Sequence, residues 1–168
     1  LPIDDALAGK AFDLYMERLD RGKLFLSKQD VQRLMPFRYQ IDDQFLEGSL
    51  EFFDITNDLM TRRILDAEPW YSEILSQPFD FSLQEYFQGN PDSLDYCDDE
   101  AGLRERWRLS LKYQTLERLS GKLAQQEKRP EGSDSLIESM TFEEAERWAR
   151  EKVEQRYKDW FKRLKQTN

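Results

Sequence analysis

Leucine occurs 22 times in this 168-residue chain, and valine twice. No other feature constrains the fold as strongly. β-Branched side chains suit a pleated sheet, whereas unbranched ones lose little freedom in a helix. Isoleucine, valine and threonine together number 13, too few to stock a sheet of several strands. Seven glycines and six prolines punctuate the chain sparsely, which suits a few long helices. The expectation is an all-α protein of about six helices, three of them long, in an irregular antiparallel bundle. At roughly 100–200 residues per domain, residues 1–168 read as one helical domain.

Periodicity and stop signals place the helices. The first spans about Asp5–Leu19, with Phe12, Tyr15, Met16 and Leu19 on one stripe. Gly22 is placed to end it in a left-handed conformation. Ser27 is the expected N-cap of a helix over Lys28–Met35, which Pro36 stops. A short helix over Ile41–Glu47 breaks at Gly48. A long one follows over Ser49–Leu75, with Leu50, Phe53, Met60, Ile64 and Ala67 as its core positions. Pro69 should kink or split it. Ser82-Leu-Gln-Glu85 is a capping-box pattern that predicts one more short helix, ended by Gly89-Asn90-Pro91.

The fifth main helix covers about Asp99–Glu127, with Leu103, Trp107 and Leu111 on one stripe. Leu109, Tyr113, Leu116 and Leu123 suggest burial on a second side. Lys128–Met140 reads as a polar loop with Pro130 and Gly132. Thr141-Phe-Glu-Glu144 is a second capping box and opens a helix over Phe142–Lys165. Its core face carries Phe142, Ala145, Ala149, Val153, Trp160 and Leu164.

Several chemistries are excluded. Without histidine there is no Ser-His-Asp or Cys-His machinery and no histidine metal site. One cysteine, Cys97, makes no internal disulfide, zinc site or iron–sulfur cluster. No apolar run approaches the roughly 18–20 residues of a membrane span, and no signal-peptide pattern stands at Leu1. A net charge of −9 argues against general nucleic-acid binding. That charge is uneven: residues 1–100 carry net −13 and residues 101–168 net +4. Two packed halves of opposite sign attract, and a surface of one sign can steer a partner.

The remaining motifs read as structural. Asp95, Asp98, Asp99 and Glu100 lack the alternating acids and central glycine of a calcium loop, and sit where a helix begins. Ser27-Lys28, Ser110/Lys112 and Ser120-Gly121-Lys122 bring serine near lysine. A Ser–Lys dyad, however, needs a dry pocket and an oxyanion hole. Cys97 lies beside acids that disfavour a thiolate. In the last helix, Arg147, Arg150, Arg156, Lys162 and Arg163 interleave with Trp148, Tyr157, Trp160 and Phe161. Lys152, Lys158 and Lys165 add to these bases, but Glu143, Glu144, Glu146, Glu151, Glu154 and Asp159 lie in the same stretch, which favours a core-facing aromatic stripe with salt-bridged flanks. No catalytic, cofactor-binding or metal-binding residue is assigned.

Several phrases, in order, resemble one family. They are Phe12-Asp-Leu-Tyr-Met-Glu-Arg-Leu-Asp20, Leu24-Phe25-Leu26-Ser27-Lys28-Gln29-Asp30 and Tyr39-Gln-Ile-Asp-Asp43. The linker Gln77-Pro-Phe-Asp-Phe81, the Trp107 helix and Phe142-Glu-Glu-Ala through Arg156-Tyr157 and Lys162-Arg163-Leu164 continue the match. The chain resembles the N-terminal helical domain of tail-specific proteases, also called carboxy-terminal processing peptidases. The resemblance implies a parent chain with a PDZ domain and a protease core, using a serine nucleophile and a lysine base to cut near protein C-termini. It implies a periplasmic or envelope location, protein substrates and a possible adaptor. It carries over no catalytic residue, so the expected role is scaffolding, substrate access or adaptor docking. A free-standing helical interaction module has the same composition.

Overall fold

The computed structural model describes residues 5–128 and 139–167. Among them the regular elements are helices α1 (Asp5–Leu19), α2 (Lys28–Leu34), α3 (Ile41–Glu47), α4 (Glu51–Leu75), α5 (Glu100–Glu127) and α6 (Phe142–Thr167). Met35–Tyr39 and Pro91–Ser93 are short 3-10 turns. The all-α expectation holds, and no strand forms among the described residues. The loop with Pro130 and Gly132 lies outside them, apart from its ends.

Local signals set most boundaries. Ser27 caps α2 reciprocally with Asp30: the Asp30 N–H donates to Ser27 Oγ at 3.3 Å, and the Ser27 N–H donates to Asp30 Oδ2 at 3.1 Å. Thr141 and Glu144 make the same exchange at α6, at 2.8 and 3.2 Å. Asp99 caps α5 by accepting from the Gly102 N–H at 2.9 Å. Pro36 ends α2 as an α-helix, although the chain continues through it as the 3-10 turn. Gly48 breaks α3 with φ of 71°, a conformation that suits glycine.

Two local expectations fail, and a third, at Pro69, is narrowed. The left-handed residue after α1 is Lys23 (φ 47°), not Gly22. The link is pinned by Asp20, whose buried carboxylate accepts N–H bonds from Leu24, Phe25 and Leu26 at 2.8–3.0 Å. Pro69 does not split α4, which runs unbroken to Leu75. It sits on the exposed side, where solvent can serve the carbonyl it frees, while neighbouring Ala67 and Trp70 are buried. Ser82–Glu85 does not form a helix. The Ser82 N–H and hydroxyl both turn back to Asp80 Oδ1, and Glu85 is drawn away to Arg108 and Lys112.

α6 runs antiparallel to both α4 and α5. Glu68 meets Lys165, Tyr71 stacks on Phe161, and Arg150 donates to the Leu75 carbonyl. Trp107 packs on Phe161, and Gln114 donates to the Tyr157 hydroxyl at 2.7 Å. Trp107 is fully buried at the centre, against Phe25, Trp70, Tyr157, Trp160 and Phe161. Its indole N–H donates to the Leu24 carbonyl at 2.8 Å, which ties the 20–27 link to the bundle. α1 and the 3-10 turn pack across the start of α4 through Phe12, Tyr15, Phe37 and Phe52. A second, smaller core joins Leu119 to Ala145 and Ala149.

The division of charge is used in this packing. Arg104–Glu73, Arg108–Glu85, Lys112–Glu85 and Lys165–Glu68 each join a base beyond residue 100 to an acid before it. Most are exposed and individually weak. Lys112 is the exception, because it is buried, with its ammonium on the Asp80 carbonyl and the Glu85 carboxylate. Arg108 and Lys112 hold the Glu85 carboxyl down to about 2. Lys112→Met is therefore expected to loosen residues 80–86 on α5, leaving the Arg108–Glu85 pair and the Phe87–Tyr113 stack in place. Hydrogen exchange should show the protection of residues 80–86 falling while that of α4 and α6 persists.

Candidate functional site

Of the buried charged side chains, Asp20, Asp30, Lys112 and Glu146 are consumed by architecture. Asp30 is 1% exposed and takes two bonds from Arg63, at 2.7 and 2.9 Å, besides its cap. Burial pushes its carboxyl up, but Arg63 and Ser27 outweigh this and hold it below the usual range. Glu146 is likewise clasped by Arg150 at 2.8 Å. A cavity of about 170 Å³ lies beside Asp30, lined by Arg63, Asp66, Trp70, Asp99 and Glu100. Its polar walls are already paired or solvated.

The serine–lysine proximities do not form dyads. The Ser27 hydroxyl faces Asp30, and Lys28 reaches Asp98 at 2.6 Å. Ser110 accepts from Gln114 at 3.1 Å, while Lys112 turns to Glu85. Lys122 lies over the Trp148 ring, 4.9 Å from its centroid, and Ser120 is exposed. Of the 95–100 acids, Asp99 is a cap and Asp98 an ion-pair partner. No group of three or more acids or cysteines able to hold a metal ion occurs among the described residues. Burial pushes the Cys97 thiol up; Arg106 opposes this, and Asp98, Asp99 and Asp20 reinforce it. The aromatic stripe of α6 faces the core, with Tyr157 and Phe161 buried and Trp148 and Trp160 half-buried.

What remains open is apolar surface, at two places where burial was expected. Leu109, Tyr113 and Leu116 do not enter a second core on α5. With Phe81, Leu83 and Phe87 they line a surface cavity of about 290 Å³, and Leu83, Tyr86, Tyr113 and Leu116 are exposed beside it. Phe87 stacks on Tyr113 at 5.1 Å, so the 81–87 segment is held against α5 by rings as well as by Glu85. On α4, Phe52, Thr56 and Trp70 fill the core with Met60, Ile64 and Ala67. Leu50 and Phe53 instead stand 63% and 43% exposed. They border a groove of about 240 Å³ between α1, α3 and α4, which also holds Ala8, Ile41 and Asp42. Phe142, expected in the core of α6, is also exposed.

Helical periodicity missed these surfaces because an apolar residue on a helix reads the same whether or not a neighbour covers it. One sequence signal marks the groove. Residues 39–61 contain six acids and no lysine or arginine.

No helix among the described residues is long and apolar enough to cross a membrane. The arrangement offers open apolar surfaces on a bundle whose buried charges, Asp42 apart, are satisfied internally. The family model of the tail specific protease N-terminal domain matches residues 1–168, the whole chain, and the chain belongs to that family.

Proposed function

We propose that the chain is a non-catalytic wall of an exported tail-specific serine protease, acting in the periplasm or cell envelope. It frames access to a proteolytic site elsewhere in the parent protein and offers contact to substrates or an adaptor. On this reading residues 1–168 are one domain, and the PDZ domain and Ser/Lys core belong to other parts of the same polypeptide.

The observation that carries the reading is the open face formed by residues 81–87 and α5. It presents Leu83, Tyr86, Tyr113 and Leu116 together, a mixed aromatic and aliphatic surface suited to passing or holding unfolded chain. Purified chain is expected to hydrolyse no casein, while Leu83→Glu in the whole protease slows substrate turnover chiefly through KM. Proteolysis by the chain alone, abolished by a serine-directed inhibitor, overturns the proposal. A free-standing interaction module is the second reading, favoured by the same exposed face. Reading the coding sequence past Asn168 separates the two: a PDZ segment and protease core support the first, and a stop codon the second.

A further inference from the structure

The geometry points to a second, independent surface: the α1–α3–α4 groove is a docking site for a basic amphipathic segment of another protein. It shares no lining residue with the 81–87 face and does not depend on the role given to that face.

Three observations converge. The first is shape. Ala8 and Phe52 are buried in the floor, and Leu50 and Phe53 stand exposed at the lip of a groove of about 240 Å³. Exposed large apolar side chains around a concavity are characteristic of interaction sites. The second is an unpaired acceptor. Asp42 lines this groove, is 8% exposed, and its Oδ1 has no hydrogen-bond partner. A buried carboxylate oxygen without a donor is unfavourable, and an N–H from an occupant would relieve it.

The third is charge. Asp43, Glu47, Glu51 and Asp54 flank the lining residues and are exposed, within the stretch that has no base. The α1 wall adds exposed Lys10, and its Asp13 is already paired with Arg38 at 2.6 Å.

An occupant that satisfies all three has an apolar face for the groove, lysine or arginine on its flanks, and a donor for Asp42. That describes a basic amphipathic helix laid into a groove. A second copy of this chain docking through the same face would set acid against acid. The rim charges should raise the association rate at low salt, while the apolar lip governs retention.

The test is fluorescence anisotropy with the 168-residue chain and a labelled Leu/Lys peptide patterned as an amphipathic helix. A scrambled peptide of equal composition and charge serves as the control. The patterned peptide is expected to bind about tenfold more tightly than the scrambled one. Leu50→Glu should weaken it by about tenfold, even though the variant adds a negative charge that general attraction to a cation would favour. Asp42→Asn should weaken it by about threefold, and Leu83→Glu should leave it unchanged. Leu50 and Leu83 are exposed, so both variants should keep the helical circular dichroism of the parent. Equal binding of the two peptides overturns the site. So does binding that is unchanged or tightened in Leu50→Glu, or unchanged in Asp42→Asn. Self-association in sedimentation without peptide binding overturns it as well.

Discussion

Trp107→Ala is expected to lower the free energy of unfolding by about 3–5 kcal/mol, the range for emptying a buried tryptophan site. The residue is 0% exposed, and five aromatic rings contact it, from the 20–27 link, α4 and α6. Neighbours this rigid cannot collapse fully into the space, so a cavity persists. The variant also strands the Leu24 carbonyl, which loses the indole N–H now 2.8 Å away. Trp107→Phe keeps a ring but not the donor and should lose about half as much. Urea unfolding followed by far-ultraviolet circular dichroism measures both. A loss under about 1 kcal/mol for alanine would show that the three long helices hold together without this ring.

Asp30→Ala should be nearly as damaging, at about 3 kcal/mol, the lower end for breaking a buried ion pair. Arg63 keeps partial access to solvent at 32% side-chain exposure, which softens its loss. The variant also removes the carboxylate side of the α2 capping box and frees the buried Ser27 N–H. The pair has a signature in pH. The folded-state carboxyl of Asp30 lies below the ordinary value of about 3.9. Its contribution is therefore fully present above that ordinary value and is lost as pH falls through the folded-state value. Asp30→Asn should flatten the acid limb of stability below about pH 4, relative to the parent. An acid limb identical in both proteins would mean that Glu85 and other paired carboxylates account for all of it.

Much of the fold was legible because the forces involved are local. Ser27, Asp99 and Thr141 capped helices as their side chains and neighbours dictate, and Gly48 ended one. The α1 stripe of Phe12, Tyr15, Met16 and Leu19 faces inward as its spacing requires. The errors arose where a distant residue outbid a local preference. Glu85 could have closed a capping box with Ser82, but two cations one turn apart on α5 claimed it. Pro69 could have broken α4, but Ala67 and Trp70 are anchored on the buried side of the same turn.

The candidate surfaces were less legible than the core. Leu50 and Phe53 on α4 have the spacing of core residues, and so do Tyr113 and Leu116 on α5. Nothing within either helix reveals that no neighbouring element arrives to cover them. Amphipathic pattern records hydrophobicity along one helix, whereas exposure depends on how helices far apart in sequence are arranged.

By itself, the sequence determined that the chain is helical, where at least one end of each of the six helices among the described residues falls, and that it lacks histidine- and cysteine-based chemistry. Propensity, capping and composition need no partner to act. Tertiary structure alone decided that Trp107 sits at the meeting point of α4, α5 and α6, that Asp30 pairs with Arg63, and that Leu50, Phe53 and Asp42 meet at one open groove. Each of these rests on contact between residues brought together only when the helices pack.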